Sequence, residues 1–84
     1  MDNENVSVNI FKTLREILVT EFKIDAGLIS PEKRLEDDLD LDSLDEVDIL
    51  LSLSNYIGEK IDPTLFKDAV TLQDVIDLLI PLWK

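Results

Sequence analysis

Eighty-four residues suit one small domain, and an apolar share of 45% is that of a globular chain, which excludes disorder throughout. The absence of cysteine excludes disulfides and thiolate chemistry, and the absence of histidine removes the commonest general base and the commonest zinc ligand. A net charge of −11, from 19 acids against 8 bases, argues against nucleic acid or anionic membrane as partners, since both need a cationic surface.

The start, MDNENVSV, is acidic and polar, unlike a signal peptide, and no apolar run approaches a membrane span. A soluble, cytoplasmic, monomeric protein is expected, with one domain over residues 1–84 and no membrane partner. In chain order, Ile10, Leu14, Ile17 and Leu18 recur at helical spacing, with Phe11 and Phe22 alongside. Lys12, Arg15, Glu16 and Glu21 fill the other side. The pattern predicts an amphipathic helix over about residues 6–23, ended by Asp25-Ala26-Gly27. Residues 24–42 form a long connection with a turn or extended step at Ser30-Pro31. Ile24, Leu28, Ile29, Leu35, Leu39 and Leu41 are expected to pin it to the core, so it should be ordered.

A second helix is expected over 43–57. Ser43-Leu44-Asp45-Glu46 fits the capping box S-x-x-E, with the Ser43 hydroxyl accepting from the N3 amide and Glu46 reaching back. Gly58 is its stop. Asp62-Pro63 opens a short helix over 63–68, with Asp62 as N-cap. Thr71 starts a last helix over 72–80 with one apolar stripe, Leu72, Val75, Ile76 and Leu79, and Pro81 ends it. No segment alternates with period two, so no strand is expected. The fold class is all-α: a small four-helix bundle, three longer helices and one short, with a long ordered loop between the first two.

The second helix carries two apolar stripes. At roughly 100° per residue, Leu44, Val47 and Leu51 lie on one side and Ile49, Leu50, Leu53 and Ile57 nearly opposite. Either both stripes are buried, one under the long loop, or Leu44, Val47 and Leu51 stay partly exposed as a docking patch. We favour the second. From Glu36 to Asp48 there are eight acids and no base. These acids interleave with the patch, which suits a basic partner with an apolar groove.

The stretch DLDLDSLDE, residues 38–46, carries the chemistry. Asp38, Asp40 and Asp42 have D-x-D-x-D calcium-loop spacing, but Ser43 stands where the loop needs glycine and Ile49 where it needs glutamate. No specific metal site is expected, and weak divalent-ion binding by the acids stays open. Ser43 has no histidine, cysteine or nearby lysine to activate it as a nucleophile, so the chain is not expected to be an enzyme. A phosphate on its oxygen, by contrast, would meet free backbone amides and the positive end of a helix dipole. From the cap motif alone, plain capping by Ser43 remains the stronger reading.

The stretch DDLDLDSLDEVDIL closely resembles the D-S-L motif of acyl carrier proteins, and the likeness spans roughly residues 8–80, including Thr71, Asp74, Val75 and Ile76 in a T-x-x-D-(V/L)-I pattern. The resemblance implies that Ser43 carries 4′-phosphopantetheine from coenzyme A, with Asp42 and Leu44 completing the motif. Asp45, Glu46 and Asp48 would face basic surfaces of partner enzymes, and Val47 and Leu51 would contact them. The implied partners are a Mg-dependent phosphopantetheinyl transferase and acyl-transferring synthases or ligases. The implied function is shuttling thioesters in fatty-acid, polyketide or other specialised biosynthesis. A peptidyl, aminoacyl or D-alanyl carrier, or an unmodified interaction domain, is the alternative. The family often reads L-G-x-D-S-L, and here Asp40 stands at the glycine. The Met start and short length favour a free-standing protein over a module cut from a synthase.

Overall fold

The computed structural model describes residues 3–83, so Met1, Asp2 and Lys84 of the expected domain lie outside it. The first apolar stripe forms α1, Asn3–Phe22, which begins earlier than the pattern predicts. Ile10, Leu14, Ile17 and Leu18 are buried along it, and Phe11 and Phe22 are half-buried. It stops sooner than expected, because Lys23 adopts a left-handed backbone (φ 58°) and the Ile24 amide donates to the Leu18 carbonyl at 3.1 Å. That geometry satisfies carbonyls that the last turn leaves open. Asp25, expected at the helix end, instead caps a 3-10 turn, Ala26–Leu28, by accepting from the Gly27 amide at 2.9 Å. The turn sits on the surface and turns Leu28 outward (56% exposed), against the expectation that Leu28 pins the loop.

Ile29, Leu35, Leu39 and Leu41 do pin it, and all four are buried. Backbone pairing adds a second tie, with no counterpart in the hydropathy pattern. The Leu35 amide donates to the Val70 carbonyl (2.8 Å), Leu72 to Lys33 (3.1 Å) and Gln73 to Pro31 (2.8 Å), around one antiparallel bridge between Arg34 and Thr71. The long loop is therefore fastened to the start of the last helix, and no strand forms among the described residues. Arg34 also meets the acid block. Its guanidinium lies 3.5 Å from Asp37 and 3.6 Å from Asp38, and its amide donates to Asp38 at 2.9 Å.

The second stripe forms α2, Ser43–Ile57, stopped by Gly58 at φ 77°, where a β-carbon would be strained. Ser52 on α2 donates to Glu21 on α1 at 2.9 Å. The short helix expected over 63–68 is a 3-10 turn, Pro63–Phe66, capped by Asp62, which accepts from Thr64. A segment this short gains little from α-helical bonding, so the tighter turn wins. Thr71 and Asp74 make a full capping box for α3, Leu72–Leu79. Pro81 lacks the amide to continue it, and a 3-10 turn, Ile80–Leu82, follows. Trp83 then stacks on Tyr56 of α2 with ring centroids 5.5 Å apart. Over the described residues the result is an all-helical bundle of three α-helices and short 3-10 turns around one apolar core.

Candidate functional site

The site begins at the first turn of α2, where two adjacent residues could cap the helix. Asp42 wins. Its carboxylate accepts the Asp45 amide at 2.9 Å, and the Asp45 carboxylate accepts the Asp42 amide at 3.2 Å. The expected box of Ser43 and Glu46 does not form. Asp and Ser are comparable N-caps, but a carboxylate makes a charge-assisted bond and places negative charge at the positive end of the dipole. The same spacing, Asp42-x-x-Asp45, was present in the sequence one residue upstream.

Displacing the cap to Asp42 changes the state of Ser43. It becomes the first helical residue and is exposed, and its hydroxyl makes no hydrogen bond among the described residues. The amides of Ser43 and Leu44 precede the first residue able to bond back along the helix, so they stay open to an outside acceptor. An exposed serine oxygen beside two open amides and the positive end of the helix dipole fits a phosphodiester. The carboxylates of Asp42 and Asp45, turned back onto the backbone, occupy the remaining amides.

Beyond the first turn α2 presents two unlike faces. Ile49, Leu50 and Leu53 are buried and Ile57 is half-buried. Leu44 is 76% exposed, Val47 39% and Leu51 58%. Asp48 is exposed beside them, and Asp45 and Glu46 are half-buried. Burial pushes the Glu46 carboxyl above its usual range, and the neighbouring Glu36, Asp42 and Asp45 charges push the same way.

Behind Ser43 lies a cavity of about 290 Å³. Its apolar walls include Leu14 of α1, Ile49 and Leu50 of α2, Phe66, and Leu72 and Val75 of α3. Its polar lining is Ser43, Glu36, Glu46 and Lys67, and the exposure of Ser43, Glu36 and Lys67 marks its mouth. The volume is close to that of the smaller ligand pockets, about 300 Å³. Sequence reasoning missed Glu36, Phe66 and Lys67 here, because only packing brings these separated segments to one opening.

The acids do not converge elsewhere. Asp38 is held by Arg34 and Asp42 by the cap, and no group of three potential ligands that could hold a metal occurs among the described residues. Nor is any helix among them long and apolar enough to cross a membrane.

Comparison with known proteins identifies the family. The family model described as "Phosphopantetheine attachment site" matches residues 12–79. The chain is 40% identical over 67 residues to acyl carrier protein 2 of Ralstonia nicotianae, covering 80% of this chain and 83% of that protein. It is 37% identical over 70 residues to the acyl carrier protein of Thermobifida fusca, and 34% identical over 70 to that of Myxococcus xanthus. Each of these two alignments covers 83% of this chain and 89% of the relative. The chain therefore belongs to the phosphopantetheine-attachment family as an acyl carrier protein, a carrier and not an enzyme, whose cofactor is covalently attached 4′-phosphopantetheine.

Proposed function

We propose that Ser43 is the residue that bears the arm, and that the carrier shuttles acyl groups between enzymes of fatty-acid, polyketide or related specialised biosynthesis. The observation that carries this reading is the exposed Ser43 hydroxyl, free of the cap bond and set on the mouth of an apolar cavity. In the loading step the Ser43 oxygen forms a bond to the phosphorus that bears pantetheine. The phosphorus–oxygen bond to the adenosine bisphosphate part of coenzyme A breaks, and the hydroxyl proton leaves. Among the described residues no base is hydrogen-bonded to the Ser43 hydroxyl, so the proposal assigns removal of that proton to the transferase. Asp42 holds the helix start and with it the position of Ser43. Leu44 completes the motif on the exposed side.

The arm, once bound, supplies the thiol that holds the acyl group as a thioester. The cavity behind Ser43 suits the apolar tail of a short acyl chain, which favours an acyl carrier over an unmodified interaction domain. Asp45, Glu46 and Asp48 would meet basic surfaces of the transferase and of synthases or ligases, while Val47 and Leu51 give those partners an apolar contact. On this reading the protein works as a cytoplasmic monomer, and a net charge of −11 keeps copies apart.

The test is intact mass after incubation with coenzyme A, Mg²⁺ and a broad-specificity phosphopantetheinyl transferase. One arm is expected on the wild type and none on Ser43→Ala. An arm that persists in Ser43→Ala, or no arm on the folded wild type, overturns the assignment.

A further inference from the structure

Asp40 has a left-handed backbone, with φ at 58°. That conformation disfavours any residue with a β-carbon and suits glycine best, although aspartate and asparagine tolerate it better than most. A side chain kept in such a place usually does something for the fold. The neighbouring carboxylates do: Asp37 and Asp38 engage Arg34, and Asp42 and Asp45 cap α2. Asp40 makes no hydrogen bond and no ion pair among the described residues. Its flanking residues, Leu39 and Leu41, are both buried in the core, so the turn is clamped on each side and Asp40 is exposed between them. The carboxylate is thus displayed from a fixed backbone, three residues before Ser43, with no internal task.

We propose that Asp40 is a specificity-determining residue for loading of the arm, read by a cationic side chain of the phosphopantetheinyl transferase. The proposal rests on Ser43 being the attachment site. It assigns the transferase and not a later partner for a geometric reason. Acyl-handling enzymes react at the thiol, at the far end of the arm. Of the partners named above, the transferase is the one whose reaction takes place at the Ser43 oxygen itself, which brings its surface close to the residues just before α2. An unpaired carboxylate on a backbone held at both sides breaks no internal bond to meet a basic group, and it also disfavours a transferase with an acidic or apolar surface at that point.

The experiment measures loading kinetics with coenzyme A and the transferase of the same host, for wild type, Asp40→Asn, Asp40→Gly and Glu16→Gln. Asparagine keeps the tolerance for the left-handed turn and removes the charge. Glycine relaxes the turn and removes the charge. Glu16→Gln removes one charge from exposed α1 and controls for net charge. Both Asp40 variants should lose about threefold in kcat/KM at low ionic strength, the worth of one exposed charge pair. The loss should appear in KM with kcat unchanged and should vanish at high salt. Glu16→Gln should load like the wild type. A purely structural role would separate Asn from Gly and would not respond to salt. Equal loading of wild type and Asp40→Asn at low salt overturns the proposal and leaves Ser43 intact as the site. Failure of the folded wild type to gain any arm overturns the Ser43 assignment, and this proposal with it.

Discussion

Leu53 and Leu51 stand two residues apart on α2, and the two-faced reading of that helix predicts opposite outcomes for the same substitution. Leu53 is 0% exposed in the core and Leu51 is 58% exposed. Truncating a fully buried leucine removes its transfer free energy and leaves a cavity, together about 2–5 kcal/mol. Total stability for a chain of this length is about 4–13 kcal/mol, so Leu53→Ala should remove a large share of it. Leu51 is already mostly in water, and Leu51→Ala should cost about 1 kcal/mol at most. Urea unfolding followed by circular dichroism measures both, with the midpoint falling and the slope unchanged in each. Loading kinetics then give the reverse order. Leu51→Ala should raise KM for the transferase while its fold stays intact, and Leu53→Ala, where folded, should load normally. If Leu51→Ala destabilises as much as Leu53→Ala, the Leu44–Val47–Leu51 face is a packing surface and the docking argument fails.

Three further outcomes are expected. Lys23 holds a left-handed backbone without glycine's freedom, so Lys23→Gly should stabilise by about 0.5–1 kcal/mol, while Gly58→Ala should destabilise by about 1 kcal/mol; matched denaturation curves check both signs. Asp74 accepts from the Val70 and Thr71 amides, which hold its carboxyl below the usual range, whereas burial raises Glu46. A lowered carboxyl stabilises above its ordinary pKa and loses that contribution as pH falls through its lowered pKa, so Asp74→Asn should lower Tm at pH 7 and matter progressively less as pH drops below the usual carboxylate range. A raised carboxyl does the opposite, so Glu46→Gln should raise Tm at pH 7, with no difference near pH 3; Tm against pH reads both slopes. Finally, the acids from Glu36 to Asp48 repel one another, and raising NaCl from about 10 mM to about 1 M shortens the screening length from about 30 to about 3 Å and should raise Tm; a falling Tm would mean that the Arg34 pairs outweigh the repulsion.

The helices were legible because their causes are local. The stripe Ile10, Leu14, Ile17 and Leu18, the Thr71–Asp74 box and the Gly58 stop each lie within one or two turns of chain. The start of α2 was legible for the same reason, although the choice between Asp42 and Ser43 as cap was not. Both fit the local rule, and the stronger charge-assisted bond decided between them. Leu28 was misread because its fate depends on the 3-10 turn that Asp25 caps. The resemblance around Asp42-Ser43-Leu44 was carried by the chain itself, and so were the two apolar stripes of α2. Which stripe would be buried was a question about the other elements. Only the tertiary structure brought residues 33–35 beside 70–72, set Phe66 and Lys67 at the cavity behind Ser43, and left Leu44 and Leu51 largely in water with Val47 partly exposed. The physical reason is that capping and helical spacing are settled by bonds reaching three or four residues along the chain. Burial is settled by which surfaces remain once a bundle this small has used its helices to cover one core.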